Sequence, residues 1–319
     1  MKFIYFYCSH FKGKNPTSRK GNYFEDMKAK LKEVLEISKE KNVDCILHGG
    51  DFTDSPVIAL NLIDEIVDMI EENEKPFYAI RGSHDEIGHN PELSTSSILS
   101  HIFRRSDTIH HLNWMIDDEA VLVHGYDYYH DMENDFKKDG LMIPKELKKK
   151  YFVKKSIALT HAFIVEKPFH KDVVHILAKD LKTDYDLILL AHYHPEQGIF
   201  KIGNTTFVGI GSLARKTIGK GDTERTPNVL FVDTEKQIMD VIPLKSIRPK
   251  EETFDFEVIE ILKREGESLD DFIDSLESVA VQGLGVKDAI VKICNENKIE
   301  KEIKDKIINK IDEAQEAME

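Results

Sequence analysis

Five short segments rich in potential metal ligands each follow a predicted strand: Cys8-Ser9-His10, Gly50-Asp51-Phe52-Thr53-Asp54, Gly82-Ser83-His84-Asp85, His161, and His192-Tyr193-His194. This pattern constrains the chain towards alternating strands and helices, because ligands beyond the carboxyl ends of parallel strands meet at one sheet edge. Five of the fourteen histidines fall at these strand mouths. Imidazole and carboxylate suit Zn, Mn and Fe, and such ligands can gather two ions at one edge. One such histidine alone would read as a surface or core residue. Five segments in this order favour a di-metal site.

The elements between the segments fit that reading. Residues 2–7 are aromatic and β-branched, as in a buried strand. After a polar loop at 12–22, Phe24, Met27, Leu31, Val34, Leu35 and Ser38 mark one face of a helix. Residues 44–48 form a second predicted strand. Ile58, Leu62, Ile63, Ile66, Val67 and Ile70 mark a second helix, with Pro56 near its first turn. Residues 76–81 are a third strand, and this βαβαβ order implies a parallel sheet. From about 120 the predicted strands crowd together at 120–124, 156–160, 186–191, 198–202, 205–210, 228–233 and 237–243. Gly203-Asn204 is a hairpin turn signal. A more antiparallel second half is expected. Lys245–Thr253 is a charged linker, beyond which 254–261, 268–280, 288–294 and 299–316 read as a small β, α, β, α unit. The expected division is 1–248 and 249–319.

Composition excludes several classes. Hydrophobic residues make up 41% and charged residues 32%, ordinary for a soluble domain. MKFIYFYCSH lacks a cleavage site and reads as a strand, and no apolar run approaches the roughly 18 residues of a membrane span. Three scattered cysteines (Cys8, Cys45 and Cys294) imply no disulfide framework and fit a reducing cytoplasm. The net charge of −14 argues against a general nucleic-acid coat protein. It leaves a nuclease open, since bound metal ions can supply positive charge where phosphate sits. Lysines 137, 138, 145, 148, 149, 150, 154 and 155 form a candidate basic patch, with a solvated face as the preferred reading.

Laid out this way, the chain resembles the calcineurin-like metallophosphoesterase superfamily, whose series runs Asp-x-His, Gly-Asp-x-x-Asp, Gly-Asn-His-Asp/Glu, His, then Gly-His-x-His. Within it the chain looks most like the nuclease subunits of SbcCD-type DNA double-strand-break repair complexes and their phage relatives. LHGGDFTDSP, AIRGSHDE, GSLARKT and VIPLKSIRP carry that likeness. The resemblance implies a layered α/β/β/α core of two packed sheets flanked by helices, with a small C-terminal α/β cap. It implies DNA and a coiled-coil SbcC-type ATPase as partners, and a possible homodimer. It also implies two divalent ions, Mn by family pattern. One would be held by Cys8, His10, Asp51 and His194, the other by Asp51, His161, His192 and Ser83, with Asp51 bridging.

Three positions depart from the family pattern: Cys8 replaces its first aspartate, Ser83 its asparagine, and Ala191 a glycine. As a thiolate, Cys8 would shift preference towards Zn or Fe. As a plain buried thiol it would leave three protein ligands, and it could also mark a subunit that has lost metal. The Ser83 hydroxyl is a weaker ligand than an amide oxygen, so the second site is expected to hold its ion loosely.

The implied chemistry is phosphodiester hydrolysis by a hydroxide held between ions about 3.5–4 Å apart. By the same resemblance, His84 is a non-ligand that stabilises or protonates the leaving group. Asp54 would orient a histidine or a substrate group, with a helix N-cap before Pro56 as the equal alternative. His48 reads first as a strand-end histidine bonded to backbone. His124 could line a groove, and Arg215 could contact phosphate, with a solvated surface role slightly preferred. The isoleucine stripe of 299–317 reads as packing on its own domain, with docking to a partner as the less favoured alternative. The leading expectation is a DNA nuclease. A phosphatase or small-molecule phosphodiesterase comes next, then a catalytically impaired subunit that binds DNA or the ATPase.

Overall fold

The computed structural model describes residues 1–87, 91–170, 173–217 and 220–258. In chain order the elements are β1 (Lys2–Phe6), α1 (Tyr23–Glu40), β2 (Cys45–His48), α2 (Leu60–Glu71), β3 (Phe77–Ala79), α3 (Ile98–Arg105) and β4 (Ile109–His111). There follow β5 (Trp114–Ile116), β6 (Val121–Tyr126), α4 (Met132–Asp139), α5 (Lys145–Lys150), β7 (Lys155–Thr160), β8 (Ile164–Val165) and β9 (Ile176–Leu177). The remainder are β10 (Leu187–Leu190), β11 (Gly198–Ile202), β12 (Thr205–Gly209), α6 (Lys220–Thr223), β13 (Asn228–Asp233), β14 (Ile238–Pro243) and α7 (Lys250–Thr253).

Two six-stranded mixed sheets organise these elements, in the orders β14-β13-β1-β2-β3-β4 and β11-β12-β10-β7-β6-β5. Their layering follows from the two-residue period of a strand. In β1, Ile4 and Phe6 face the helices, packing with Met27, Leu31 and Val34 of α1 and Ile63, Ile66 and Ile70 of α2. The alternate residues Phe3 and Tyr5, with Tyr7 just beyond, join Leu47, Val123, Ile157, Leu159, Leu187 and Leu189 in the core between the sheets. The other side of the second sheet, with Leu122, Ala158, Ile188 and Leu190, is covered by Met132 and Phe136 of α4. Strands buried on both faces read as continuous apolar runs, which is why YFEDM-type helices alternate with runs such as LILL. This is the expected α/β/β/α core.

Several local expectations hold. The helix marked by Phe24 to Ser38 is α1 with that face buried; the structure adds a cap, Asn22, whose side chain accepts from the N–H groups of Phe24 and Glu25. Gly203 (φ 60°) and Asn204 join β11 to β12, with Ile202 opposite Thr205. Other expectations change. The second half is less antiparallel than strand crowding suggests: β6, β7, β10 and β12 run parallel, and only β5 and β11 reverse direction. The late strands β13 and β14 return to the first sheet beside β1. β4, β5 and the pair β8–β9 went unpredicted, being two or three residues long. The helix α2 starts at Leu60, after an Ala59 N-cap that makes no side-chain hydrogen bond, so Pro56 lies outside it.

The chain divides into two compact units, Met1–Pro168 with His175–Phe256, and Phe169–Val174 with Glu257–Glu319. Everything described below belongs to the first. The predicted C-terminal βαβα unit and its isoleucine stripe lie outside the described residues.

Candidate metal centre

The site begins where β1 and β2 end. The two chains stay paired beyond the strands: the N–H groups of Cys8, His10 and Phe11 donate to the carbonyls of Gly50, Asp51 and Phe52, each at 3.0 Å. That path needs left-handed backbone at Cys8 (φ 51°), His10 (φ 46°) and Asp51 (φ 52°), and His192 adopts it too (φ 68°). For residues with a Cβ this costs roughly 1–2 kcal/mol each, and such strain collects at functional sites. Asp85 clamps the turn by accepting from the N–H groups of Gly82 (2.9 Å), Phe52 (3.1 Å) and Thr53 (3.0 Å). Gly82 must be glycine, since a Cβ there would collide with the Asp51 backbone nitrogen and carboxylate.

Two groups of possible ligands share Asp51: Cys8, His10 and His194 on one side, His161 and His192 on the other. Cys8, His10 and Asp51 come from the first sheet and His161, His192 and His194 from the second, so the carboxyl ends of both sheets converge. In the first group Cys8 Sγ and His10 Nε2 each lie 3.7 Å from Asp51 Oδ2, and His10 Nε2 lies 3.1 Å from His194 Nε2. In the second, His161 Nε2 lies 3.2 Å from Asp51 Oδ2. The Ser83 hydroxyl donates to Asp51 Oδ1 at 3.4 Å, and the His84 N–H does so at 2.8 Å.

Hydrogen-bond partners fix where the lone pairs point. His161 Nδ1 lies 2.7 Å from the Gly49 carbonyl, which can only accept, so Nδ1 carries the proton. In the neutral ring Nε2 then presents a lone pair to a carboxylate oxygen, an arrangement that needs a proton or a cation between them. Burial opposes protonation of His161, but the Asp51 charge and hydrogen bond, the Gly49 carbonyl and Asp85 together raise its pKa. Both His161 Nε2 and His192 Nδ1 are buried with no hydrogen-bond partner. Burial pushes His192 down to about 3 and His194 to about 4, leaving neutral imidazoles at pH 7. These residues fit divalent cations: orphaned lone pairs, neutral imidazoles and one ionised carboxylate in common. Asp51 stays ionised against its burial because His161, His84 and His10 surround it.

The two departures at ligand positions, Cys8 and Ser83, differ in kind. Burial, reinforced by the Asp51 charge, pushes the Cys8 thiol well up. Its sulfur therefore stays protonated unless a cation takes the proton's place. Ser83 Oγ is near enough to Asp51 to sit at the second group's rim, but it is a neutral hydroxyl.

Asp54 is not a helix cap. Its Oδ1 lies 3.2 Å from His10 Nδ1, so this nitrogen donates and Nε2 faces the cluster. Lys12 and Lys216 also bind its carboxylate, at 2.7 and 2.8 Å. Despite burial, His10 and Lys216 hold its pKa well down. The Asp54 carbonyl accepts from His84 Nδ1 at 2.9 Å, which leaves His84 Nε2 available. Lys216 was not singled out from sequence, although it lies in GSLARKT beyond a strand.

The remaining candidates separate. His48 is fully buried, accepting from the Gly50 N–H at 3.2 Å and lying 2.9 Å from Ser9 Oγ, as a strand-end histidine should. His124 is tied to the Tyr185 hydroxyl at 2.6 Å, away from both ligand groups. The lysines of α4 and α5 are exposed. Arg215 is only 4% exposed, so the surface role expected for it is wrong. No described helix is long and apolar enough to cross a membrane.

A family model, the calcineurin-like phosphoesterases, matches residues 10–196. Similar solved structures include TT1561 of Thermus thermophilus, with 12% identity, TM-score 0.47, and 76% of this chain and 98% of that one covered. A dimetal phosphatase from Danio rerio gives 9%, 0.46, 78% and 97%. The E. coli phosphoesterase YfcE gives 14%, 0.36, 77% and 100%. No curated protein matches the chain. The family match spans more than half of the sequence and contains most of the convergent residues, so this chain belongs to the calcineurin-like phosphoesterases, metal-using hydrolases of phosphoester bonds.

Proposed function

We propose that the chain is a metal-dependent phosphodiesterase that cuts DNA, the nuclease subunit of an SbcCD-type assembly. The observation that carries phosphodiester hydrolysis is the pair of ligand groups meeting on Asp51, with His84 held beside them. The DNA preference is supported by the run of LHGGDFTDSP, AIRGSHDE, GSLARKT and VIPLKSIRP in family order. The partner is a coiled-coil ATPase, and a homodimer in the cytoplasm belongs to the same reading.

Two cations held by Cys8, His10, Asp51 and His194, and by Asp51, His161, His192 and Ser83, would neutralise charge on phosphoryl oxygens and lower the pKa of bound water. Mn is the proposed metal, with Zn or Fe where the Cys8 thiolate takes part. The protein's own part is positioning. Asp54 locks His10 in one tautomer with its carboxylate and His84 with its carbonyl. With Nδ1–H held on the Asp54 carbonyl, His84 as the imidazolium can hand its Nε2 proton to the leaving oxygen.

Cys8 and Ser83 favour one second reading, a subunit that binds without cutting. Metal per chain, measured by mass spectrometry, and cleavage of linear duplex DNA and of bis(4-nitrophenyl) phosphate decide between them. Two ions with duplex cleavage support the nuclease. Cleavage of the small diester alone moves the protein to a small-molecule phosphodiesterase. Cys8→Asp with Ser83→Asn is expected to raise Mn-dependent cleavage roughly tenfold or more, the scale on which a detuned ligand set acts. A double mutant that binds two ions and stays inert defeats the nuclease reading.

A further inference from the structure

Cations outnumber their anionic partners around the loop that follows β12. Arg19, Lys30 and Arg215 are 6%, 3% and 4% exposed. Arg19 pairs with Asp26 at 2.6 Å and donates to the Arg215 carbonyl. Arg225 pairs with Asp222 at 3.1 Å, Lys250 with Glu224 at 3.0 Å, and Arg248 with Asp26 at 3.5 Å and Glu252 at 3.7 Å. The Glu33 carboxylate is occupied by the backbone N–H groups of Lys245 and Ser246.

That leaves two buried cations with no carboxylate among the described residues. Lys30 Nζ donates to the Leu213 carbonyl at 3.0 Å and approaches Met27 Sδ at 3.5 Å. Arg215 Nε and Nη2 are buried with no hydrogen-bond partner among the described residues, while the neighbouring Ser246 hydroxyl is turned to the Glu33 carboxylate. The Phe254 ring lies under Arg215 at 5.1 Å and Arg19 at 5.3 Å, which replaces only a little of the lost hydration.

The space beside these groups matches what they lack. A small cavity bounded by Arg19, Lys30, Arg215, Ser246 and Arg248, with Asp26 as its acidic residue, has room for about one water. Next to it an open cleft of about 360 Å³ is lined by Arg215, Arg225, Lys245, Arg248 and Lys250, with Glu224 as its single acidic residue. Such a concentration of cations runs against a chain of net charge −14. Burial and the neighbouring guanidinium groups push the Lys30 pKa well down, a repulsion that a bound anion would reverse.

We propose that this cleft is a binding site for a phosphate group, with the Arg215 guanidinium as its central ligand and Arg248 and Lys245 around it, while Lys30 lies behind Arg215 on the small cavity. Guanidinium forks match phosphate oxygens two at a time, and the Lys245 ammonium adds a further charged donor. The site rests on no metal and stands apart from the proposed reaction. It is nonetheless bonded to the same loop as the histidine cluster: Ser212 N–H donates to the His194 carbonyl at 3.0 Å and Ala214 N–H to the Cys8 carbonyl at 3.1 Å. A phosphate held on Arg215 would brace that loop.

The test is thermal melting of the full chain in inorganic phosphate against sodium chloride of equal ionic strength, with and without chelator. A parallel arm uses a short DNA duplex. At a hundredfold excess over its dissociation constant, phosphate should raise the melting temperature by roughly 5–10 °C. Arg215→Gln and Arg248→Gln should weaken binding at least roughly tenfold, each having lost a charge-assisted contact. In chloride alone, Lys30→Met should melt higher than the parent, since a buried ammonium with no carboxylate beside it is gone. Should Arg215→Gln fail to fold, Arg248→Gln and Arg215→Lys carry the comparison. A phosphate response lost in these variants, with duplex binding unchanged, assigns a free anion. A duplex response lost in them assigns a nucleic-acid backbone. No response to either probe, or equal responses in parent and variants, overturns the site.

Discussion

The histidine cluster and the cationic cleft hang on one loop, Gly211–Lys216, and are unbalanced in opposite senses. In the cluster the surplus is of acceptors: orphaned nitrogens on His161 and His192 surround the ionised Asp51. In and behind the cleft the surplus is of donors, on Arg215 and Lys30. Buried polar groups are normally partnered, so each imbalance describes its missing ligand, a cation in one case and an anion in the other. Lys216 shows how the regions are kept apart, since its ammonium is spent on Asp54 at 2.8 Å instead of joining the cleft.

The largest effect should come from Asp51→Asn, which replaces the shared acceptor with a group that also donates. Metal per chain should fall below one, and phosphodiester hydrolysis should drop by roughly 10³-fold or more. Retention of two ions by this variant would break the account of the cluster. His84→Gln offers the contrast: metal content unchanged, with a loss of about 10²–10⁴-fold in kcat expected for a missing proton donor.

Asp54→Asn tests the join between the regions. It removes the carboxylate that fixes the His10 tautomer and frees both Lys12 and Lys216. Metal affinity should weaken by roughly 10–100-fold, as for other residues that orient a ligand. Titration of the apo-protein with Mn reads this directly. An unchanged affinity would mean that His10 is held by packing alone.

The smallest effect concerns Glu86, a buried carboxyl near both Asp127 and Arg81 whose Oε2 has no partner. Burial, with Asp127 adding to it, pushes its pKa up to about 7. The folded state thus binds this proton more tightly than the unfolded chain, so stability falls as pH rises from the unfolded pKa towards 7. Glu86→Gln should match the parent at pH 4 and melt a few degrees higher at pH 8. A constant difference across that range would assign the effect to packing.

How much of this was legible beforehand varied by region. The parallel βαβαβ start was plain, because buried strands and one-faced helices alternate with the right periods. The five ligand segments were plain too, each being contiguous and each following a strand. The direction of the later strands was not: short strands spaced closely in sequence look like hairpins until the crossing elements are placed. Asp54 had two readings in sequence, and only the start of α2 at Leu60 removed one.

The sequence by itself determined the alternating core, the superfamily and the ligand-bearing segments at strand ends, since period and local motif are written in neighbouring positions. That these segments come from the edges of two sheets rather than one was decided by the fold. Tertiary structure alone decided that Arg215 is buried, that Lys30 has no carboxylate partner among the described residues, and that both line one region with Arg248. Arg19, Lys30, Arg215 and Arg248 share no spacing. Whether a charge is solvated, paired or stranded depends on what packs around it, and that is set by the fold.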